Sequence, residues 1–374
     1  MRAAVITLIL SNNFGAALQG VAFGVVLKQL GIKAEFYRYQ NKERILYGMS
    51  FLRRILHWGM NCVRWLLTFG QRKRRFKQFR ESYIPMTDKV YSQNEQLRQC
   101  PGDHDVFISG SDQIWNPEIF AQDYSYFLDF VPEGKKKISY ASSFGSAGFH
   151  EAYRQKCGDL LSQYTHISVR ETSGEKIVAE LCGKTAITCL DPTLLLTPQQ
   201  WKPMMENAST NAKQFVGILC YIMPGDKIVE TAIESLAQQL HQKTGLPIMR
   251  LGIKEYKVFC YPHGETDIQA GPAEFLAYFA GAEYVVTNSF HGTAFAMNFG
   301  KKCYNPINDK LNGETALHER MISLLKQLDA MDQIVLAGQP VLREHIDMDM
   351  DRSQQLLNQL RHRSMEYLTN ALGG

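Results

Sequence analysis

The segment 284–299, Tyr-Val-Val-Thr-Asn-Ser-Phe-His-Gly-Thr-Ala-Phe-Ala-Met-Asn-Phe, joins a β-rich run to a helix of small residues, with His291 in the turn. In open α/β sheets, ligands bind beyond the carboxyl ends of the strands, where a starting helix offers free backbone N–H groups to an anion. A histidine there can bind a phosphate or carboxylate as a cation, or move a proton near neutral pH. His291 is therefore a candidate catalytic residue. The alternative is a histidine that caps the helix through its own backbone.

A second candidate site follows the apolar run that begins at Val106. Its sequence is Ser-Gly-Ser-Asp-Gln-Ile-Trp-Asn over 109–116. A carboxylate beside an indole is a common way to bind a sugar, with the ring face on Trp115 and hydroxyl groups on Asp112 and Gln113. The alternative is a turn capped by Asp112, with Trp115 in the core.

A third candidate is Arg170, which emerges from the end of the predicted strand 166–170. The planar guanidinium of an arginine matches a carboxylate or a phosphate, so Arg170 can hold an anionic substrate. The alternative is a salt bridge with Glu171 or another neighbour.

The first turn of the chain has a similar form. A buried strand is predicted at 3–10, followed by the polar turn Ser11-Asn-Asn-Phe-Gly15 and a helix that ends before Gly31. Rossmann-like domains begin in this way, yet the three spaced glycines of a dinucleotide site are missing, so we expect no nicotinamide cofactor. Asn12 and Asn13 either bind substrate or simply form the turn and cap the helix.

Alternation of strand and helix patterns favours an α/β fold with parallel sheets covered by helices, in two halves. Thr197 and Pro198 are a good cap and first-turn pair for a helix, and we place the domain boundary there. We predict an N-terminal Rossmann-like domain at 1–196 with a basic helical insertion near 44–82, a C-terminal Rossmann-like domain at 197–345, and a last helix at 346–374 that packs back on the first domain. The predicted strands are 3–10, 33–39, 105–109, 137–143, 166–170, 186–190, 215–221, 247–251, 283–287 and 302–304.

Charge and hydropathy exclude several classes of protein. The formal net charge of +4 over 374 residues is not the electrostatic footprint of a nucleic-acid binder. The basic run 72–80 follows an apolar stretch, 55–67, that is too short and too polar to span a bilayer. Residues 55–80 either contact an anionic membrane surface or form a solvated helix. No signal peptide is evident, so we expect a cytoplasmic protein, with the inner face of the membrane as its possible place of contact.

Metal and disulfide sites have little support in the sequence. The eight cysteines show no CxxC spacing, which argues against a zinc ribbon or a thioredoxin-type site. Asp347, Asp349 and Asp351 directly precede a helical run, where the helix dipole favours carboxylates, so we expect no metal.

Six motifs occur together and in order, and together they resemble the polysaccharide pyruvyl transferase family over roughly the first 330 residues. They are Asn-Asn-Phe-Gly-Ala-Ala-Leu-Gln at 12–19, Ser-Gly-Ser-Asp-Gln-Ile-Trp-Asn at 109–116, Tyr-Ala-Ser-Ser-Phe-Gly at 140–145, Ser-Val-Arg-Glu at 168–171, Asp-Pro-Thr-Leu-Leu at 191–195 and Ser-Phe-His-Gly-Thr-Ala-Phe at 289–295. The resemblance implies two Rossmann-like domains that face a cleft, as in GT-B glycosyltransferases. It also implies phosphoenolpyruvate as the co-substrate, without a further cofactor. The implied acceptor is a sugar of a cell-surface glycan or its precursor, either lipid-linked or not.

The resemblance implies a catalytic set of His291, Asp112 and Arg170. His291 would serve the phosphate end as cation or general acid, Arg170 would clamp the carboxylate or phosphate, and Asp112 would hold the acceptor hydroxyl or orient His291. The implied substrate-binding residues are Asn12, Asn13, Gly15, Gln19, Ser111, Gln113, Trp115, Ser289, Gly292 and Thr293.

The chain departs from the family pattern at Ser289, because many members carry an arginine two residues before the histidine. Lys301, Lys302 or Arg320 could replace that arginine. Two alternatives stay open: a GT-B glycosyltransferase that uses a nucleotide sugar, and a glycan-binding relative without catalytic activity.

Overall fold

The structure is a computed structural model of the full chain. It describes residues 1–40, 70–99, 101–117, 123–145, 149–252, 264–308, 316–338, 340 and 350–373. Residues 44–69 of the predicted basic insertion, and with them 55–69 of the predicted membrane contact, lie outside the described residues.

The chain divides into two compact units. The first contains Met1–Leu195 together with Arg361–Gly374, and the second contains Leu196–Leu360. The predicted boundary, between 196 and 197, is one residue from this division.

The first unit is built on a five-stranded sheet in which every pair of neighbouring strands is parallel, in the order β3-β2-β1-β4-β5. The chain continues from β1 to β2 on one side of the sheet and from β4 to β5 on the other. The strand order therefore reverses between β1 and β4, and open α/β sheets bind ligands at such a point. Its elements are β1 Arg2–Ile6, α1 Phe14–Gln29, β2 Lys33–Tyr39, α2 Gly70–Tyr83, β3 Met86–Tyr91, α3 Asn94–Gln99, β4 Val106–Ser109, β5 Lys136–Ser139, α4 Arg154–Leu161, β6 Ser168–Val169, α5 Thr172–Cys182, β7 Ile187–Thr188 and α6 Pro192–Leu195, with short 3-10 helices at Tyr124–Phe127 and Glu151–Tyr153.

The second unit repeats this plan with six parallel strands, in the order β10-β9-β8-β11-β12-β13. Its elements are α7 Pro198–Trp201, α8 Thr210–Gln214, β8 Gly217–Tyr221, α9 Lys227–Thr244, β9 Ile248–Leu251, β10 Glu265–Thr266, α10 Pro272–Gly281, β11 Ala282–Thr287, α11 Phe290–Asn298, β12 Lys302–Ile307, α12 Ala316–Gln327 and β13 Ile334–Leu336, with 3-10 helices at Lys202–Met205 and Met331–Gln333. The last helix, α13, spans Met350–Gly373, and its residues from Arg361 onward belong to the first unit.

The local signals that set these elements are visible in the chain. Thr197 caps α7: its side chain accepts a hydrogen bond from the Gln200 amide, the Gln200 side chain accepts one from the Thr197 amide, and Pro198 occupies the first turn. The predicted cap at Thr197 is therefore confirmed. β1 is buried from Ala3 onward, as expected of an inner parallel strand.

All ten predicted strands are present, although several are shorter than expected, and those predicted at 166–170 and 186–190 have two residues each, Ser168–Val169 and Ile187–Thr188. The first ends at Ile6 rather than at residue 10, and the strand expected at 137–143 ends at Ser139. The strand expected at 137–143 is shortened because Ala141 has a φ of 48°, which an extended strand does not allow. The prediction missed β3, β10 and β13.

None of the described helices is long and apolar enough to cross a membrane.

Candidate functional site

In the first unit, the loops after β4 and β5 both contain a non-glycine residue in the left-handed region of backbone space. Asp112 has a φ of 76° and Ala141 a φ of 48°. The two loops run side by side, since the Ser143 amide donates to the Asp112 carbonyl at 3.0 Å. Such conformations cost about 1–3 kcal/mol each and concentrate at functional sites. The carboxyl edge of this sheet, the edge where its strands end, is therefore a candidate site.

A buried arginine lies at the centre of this edge. Arg170 Nη1 donates to Asp191 Oδ2 at 2.9 Å, and Arg170 Nε donates to Glu171 Oε1 at 3.1 Å. Asp112 Oδ1 lies 4.0 Å from Arg170 Nη1, and the arginine side chain is only 2% exposed. We call Arg170, Asp112, Glu171 and Asp191 the Arg170 cluster. The salt bridge with Glu171, which the sequence left open as an alternative, is present.

The electrostatics of the Arg170 cluster keep the arginine charged. Burial lowers the pKa of Arg170, but the carboxylates of Glu171, Asp191 and Asp112 raise it by more, and the net shift is upward. Three carboxylates thus surround one guanidinium, whose bonds to Glu171 and Asp191 fix its orientation. Arg170 therefore holds the strand ends together from a buried position. Its predicted role as a clamp on the donor stays a prediction.

Further hydrogen bonds hold the carboxylates of the cluster. Ser111 Oγ donates to Asp191 Oδ2 at 3.0 Å, and the Thr193 amide donates to Asp191 Oδ1 at 3.0 Å. Ser143 Oγ donates to Glu171 Oε1 at 2.7 Å. Sequence reasoning assigned no site role to Asp191, although an aspartate followed by Pro-Thr at a helix start is a typical cap signal that could have revealed it.

Trp115 is a correction to the sequence analysis. Its side chain is fully buried, its ring is stacked on Phe127 with centroids 5.4 Å apart, and its Nε1 donates to the Tyr126 carbonyl at 3.1 Å. A ring with no exposed face cannot support a sugar, so the predicted stacking on Trp115 is wrong and the alternative, Trp115 in the core, is confirmed. Gln113 accepts a hydrogen bond from Asn116 Nδ2 at 3.0 Å and is partly exposed.

The turn after β1 lies beside β4 in the sheet. Asn13 is the N-cap of α1, and its Oδ1 accepts from the Ala16 amide at 3.2 Å, so the capping interpretation holds for this residue. Asn12 is exposed, whereas Gly15 is buried in the first turn of α1. Gln19 is fully buried, and its Nε2 donates to Thr7 Oγ1 at 3.0 Å.

Thr7 connects this helix to the Arg170 cluster. Its Oγ1 accepts from Gln19 and donates to the Ser111 carbonyl at 2.6 Å. Gln19 therefore supports the loop after β4 through Thr7, and it has no exposed atom that could contact a substrate.

The second unit places His291 at the start of α11, directly beyond the carboxyl end of β11. Ser289 is the N-cap and makes no capping bond with its side chain, and His291 is the second residue of the helix, 7% exposed. The first amide groups of a helix have no acceptor within the helix and carry the positive end of its dipole. The prediction of a histidine at an anion-binding helix start thus agrees in position with the structure.

Close packing fixes this helix start. A Cβ atom on Gly292 would lie 2.3 Å from Thr287 Oγ1, so only glycine lets α11 approach β11 this closely. Thr293 is fully buried, and its Oγ1 donates to the Ser289 carbonyl at 3.1 Å. Gly292 and Thr293 therefore position the turn.

Asn288, in the same turn, is hydrogen-bonded to a residue that follows the neighbouring strand β8. Its Nδ2 donates to the Met223 carbonyl and its Oδ1 accepts from the Met223 amide, both at 2.8 Å. Because Met223 follows β8, this paired bond ties together the ends of two adjacent strands. Sequence reasoning missed Asn288, although an asparagine between a strand and a helix is a typical turn residue.

Each unit thus assembles its own set of predicted residues. The first brings Ser111, Asp112 and Arg170 together, and the second brings Ser289 and His291 together. Within the described ranges, no group of three histidine, cysteine, aspartate or glutamate side chains is arranged to hold a metal ion.

The sequence profile of the family described as polysaccharide pyruvyl transferase matches residues 13–308. The chain belongs to this family. No curated protein sequence is similar enough to count as a match.

Solved structures place the family member in a known fold. The UDP-GlcNAc 2-epimerase of Methanocaldococcus jannaschii, in complex with UDP-GlcNAc and UDP, has a TM-score of 0.54 at 11% identity, covering 100% of this chain and 99% of the other. The UDP-N-acetylglucosamine 2-epimerase of Rickettsia bellii has a TM-score of 0.51 at 9% identity, covering 99% and 97%. These proteins have the GT-B fold, and the predicted GT-B-like α/β fold is confirmed.

The three residues that could replace the family arginine, which is Ser289 in this chain, lie on different edges of the second sheet. Lys301 and Lys302 lie at the amino end of β12, opposite the edge that holds His291, because β11 and β12 are parallel. They cannot replace the missing arginine. Arg320 lies in α12, which follows the carboxyl end of β12, so it is on the same edge as His291.

Proposed function

We propose that this protein transfers pyruvate from phosphoenolpyruvate to hydroxyl groups of a sugar in a cell-surface glycan or its precursor, and forms a ketal. The observation that carries the proposal is His291 in the first turn of α11, at the carboxyl edge of the second sheet, in a chain of the pyruvyl transferase family. A helix start beside a histidine suits an anionic donor that must also receive a proton.

The reaction needs an acid, a base and a group that binds phosphate. A proton adds to the methylene carbon of phosphoenolpyruvate and turns it into a methyl group, which leaves a cationic carbon bonded to the phosphate ester oxygen. One sugar hydroxyl attacks this carbon and loses its proton. The second hydroxyl replaces phosphate, which leaves with the electron pair of the C–O bond, and its proton goes to the departing phosphate. The products are the ketal and inorganic phosphate.

Each candidate has a role that its surroundings favour. His291 binds the donor phosphate together with the α11 amides, or delivers the proton. Arg320, in the helix that follows the carboxyl end of β12, compensates for Ser289. Asp112 receives the hydroxyl proton, since its side chain is 12% exposed, whereas that of Arg170 is 2% exposed. Arg170 is then a positioning residue that holds Asp112 and the strand ends.

The test is release of phosphate from phosphoenolpyruvate in the presence of a panel of sugars, nucleotide sugars and lipid-linked sugars, with the ketal identified by mass spectrometry and NMR. We expect turnover by the native chain, and a loss of about 10² to 10⁴-fold in His291→Ala. His362→Ala is the matched control, because His362 is a histidine outside the predicted site residues and its side chain is 76% exposed.

Two other outcomes would overturn the proposal. Release of UDP from a nucleotide sugar, without consumption of phosphoenolpyruvate, would identify a glycosyltransferase. Binding of glycan without turnover of either donor would identify the inactive relative, which Ser289 in place of the family arginine favours.

A further inference from the structure

His318 is a buried histidine that the described residues leave unsatisfied. It is the third residue of α12 and is 6% exposed. Its Nδ1 is enclosed and has no hydrogen-bond partner in the part of the chain that the structure describes. A buried polar atom of this kind has lost its hydrogen bonds to water without a replacement, and such atoms are rare in native proteins. His318 therefore indicates a partner that comes from outside these residues.

The position of His318 is at the same edge of the second sheet as His291. β11, which precedes His291, lies between β8 and β12 in the strand order. The loops after β8 and β12 meet, because Asn308, directly after β12, donates from Nδ2 to Oδ2 of Asp226, after β8, at 3.0 Å. α12 carries His318 in its first turn and packs against α11, which carries His291 in its own first turn.

The surroundings of His318 favour a neutral imidazole. Burial lowers the pKa of His318, the carboxylate of Asp226 opposes this shift, and Arg320 adds to it. Asp226 already accepts hydrogen bonds from two backbone amides of α9 and from Asn308. A neutral imidazole still donates one N–H group, so an anion that accepts this group would satisfy the ring.

Backbone donors are available at the same edge. α11 has nine residues and α12 has twelve, and the first amide groups of each have no acceptor within their own helix. The positive ends of both helix dipoles add to the attraction for an anion. Two helix starts and an unsatisfied histidine are thus features of one unit.

We propose that His318 donates an imidazole N–H to the phosphate group of the donor, beside the amide groups at the start of α11. This inference rests on the proposed function, in which the donor is a phosphate ester. A phosphate group accepts several hydrogen bonds at once, so the histidine and the helix amides can bind it together. With His318 on the phosphate, His291 is available to deliver the proton to the methylene carbon.

The test uses inorganic phosphate as the probe and the full chain, without phosphoenolpyruvate or sugar. We expect isothermal titration to show binding to the native chain, and His318→Phe to weaken it at least about tenfold, because a hydrogen bond to a charged group is lost. His362→Phe is the matched control, since it makes the same exchange at a side chain that is 76% exposed. Equal affinity in the two variants, or no binding by the native chain, would overturn the proposal.

Thermal unfolding separates a binding role from a structural one. Phenylalanine is similar in shape to histidine and has no polar ring atom, so without phosphate His318→Phe should unfold no earlier than the native chain. Phosphate should raise the midpoint of the native chain and of His362→Phe, but not that of His318→Phe. If His318→Phe unfolded earlier and kept the phosphate-induced rise, His318 would have a structural role and the proposal would fail.

Nuclear magnetic resonance of the labelled imidazole nitrogens reads the ring of His318 in the native chain. The chain has ten histidines, and the signals absent from the spectrum of His318→Gln belong to His318. Phosphate should shift these signals, and unshifted signals at saturating phosphate would contradict the proposal.

The outcomes distinguish this inference from the proposed function. Phosphate binding through His318 without any pyruvyl transfer would reject the proposed function alone. Pyruvyl transfer with the same KM for phosphoenolpyruvate in His318→Phe as in the native chain would reject this inference alone.

Discussion

The two units place their charged and polar side chains in opposite settings. In the first, the buried guanidinium of Arg170 bonds to two carboxylates of its own unit, and serine and threonine groups bond to those carboxylates in turn. In the second, the start of α11 presents backbone amides and one histidine beyond the end of a strand. We expect the Arg170 cluster to govern the stability of the first unit, and we propose that the start of α11 binds a ligand and governs activity.

The largest expected effect follows from breaking the Arg170 cluster. Arg170→Met leaves Glu171 and Asp191 buried beside each other without a cation, which should lower the free energy of unfolding by about 3–5 kcal/mol. Chemical denaturation of the full chain, followed by circular dichroism, measures this loss.

Arg154→Met is the control for that experiment. Arg154 pairs with Glu151 and Glu180 at the surface, and its loss should cost no more than about 1 kcal/mol. If both variants were equally stable, the first unit would not depend on its buried charges, and the contrast between the units would fail.

A smaller effect is expected at the helix start of the second unit. Gly292→Ala forces a methyl group against Thr287 Oγ1 and should cost about 1–3 kcal/mol, because β11 cannot move away from α11 without losing its neighbours. Thermal unfolding measures the change. Gly338→Ala, where a Cβ meets nothing within 4 Å, should leave the midpoint almost unaltered; a similar drop in both proteins would show that the close approach is unimportant.

The smallest expected effect concerns the backbone of Asp112. Asp112→Asn retains a side chain that tolerates a φ of 76° and can still accept from the Gln113 amide, so stability should change by less than about 0.5 kcal/mol. Asp112→Val should be about 1–2 kcal/mol less stable than Asp112→Asn, since a β-branched residue resists this conformation. Matching thermal midpoints for the two variants would exclude backbone strain at this position.

The positions of the main candidates could be predicted because they depend on local sequence. His291 and Asp112 each follow an apolar strand and Arg170 follows a short strand, and residues after parallel strands lie at the carboxyl edge of a sheet whatever the order of its strands. The strands that were missed, β3, β10 and β13, are all at the ends of the strand orders. β3 carries exposed charged residues where inner strands are apolar, so its hydrophobic pattern is weak.

Other features depend on contacts between distant segments, and sequence alone could not supply them. Trp115 follows polar residues, yet aromatic residues from three other segments enclose it: Phe127, Phe144 and Tyr164. Lys301 is close to His291 in sequence, but His291 is at the start of the nine-residue helix α11, which carries the chain to the other edge of the sheet before Lys301. Arg80 meets the turn at Ser11 across 69 residues.

The first unit is completed by residues at the far end of the chain, and this has a consequence for synthesis. Tyr367 donates to the Ser139 carbonyl at 2.9 Å, Ser364 Oγ accepts from the Leu190 amide at 3.0 Å, and Leu368 and Ala371 are fully buried. Domains usually fold in the order in which the ribosome makes them. Here residues 1–195 leave the ribosome long before α13, the helix that completes their unit. The second unit can therefore finish folding first, while part of the core of the first unit is still exposed to chaperones.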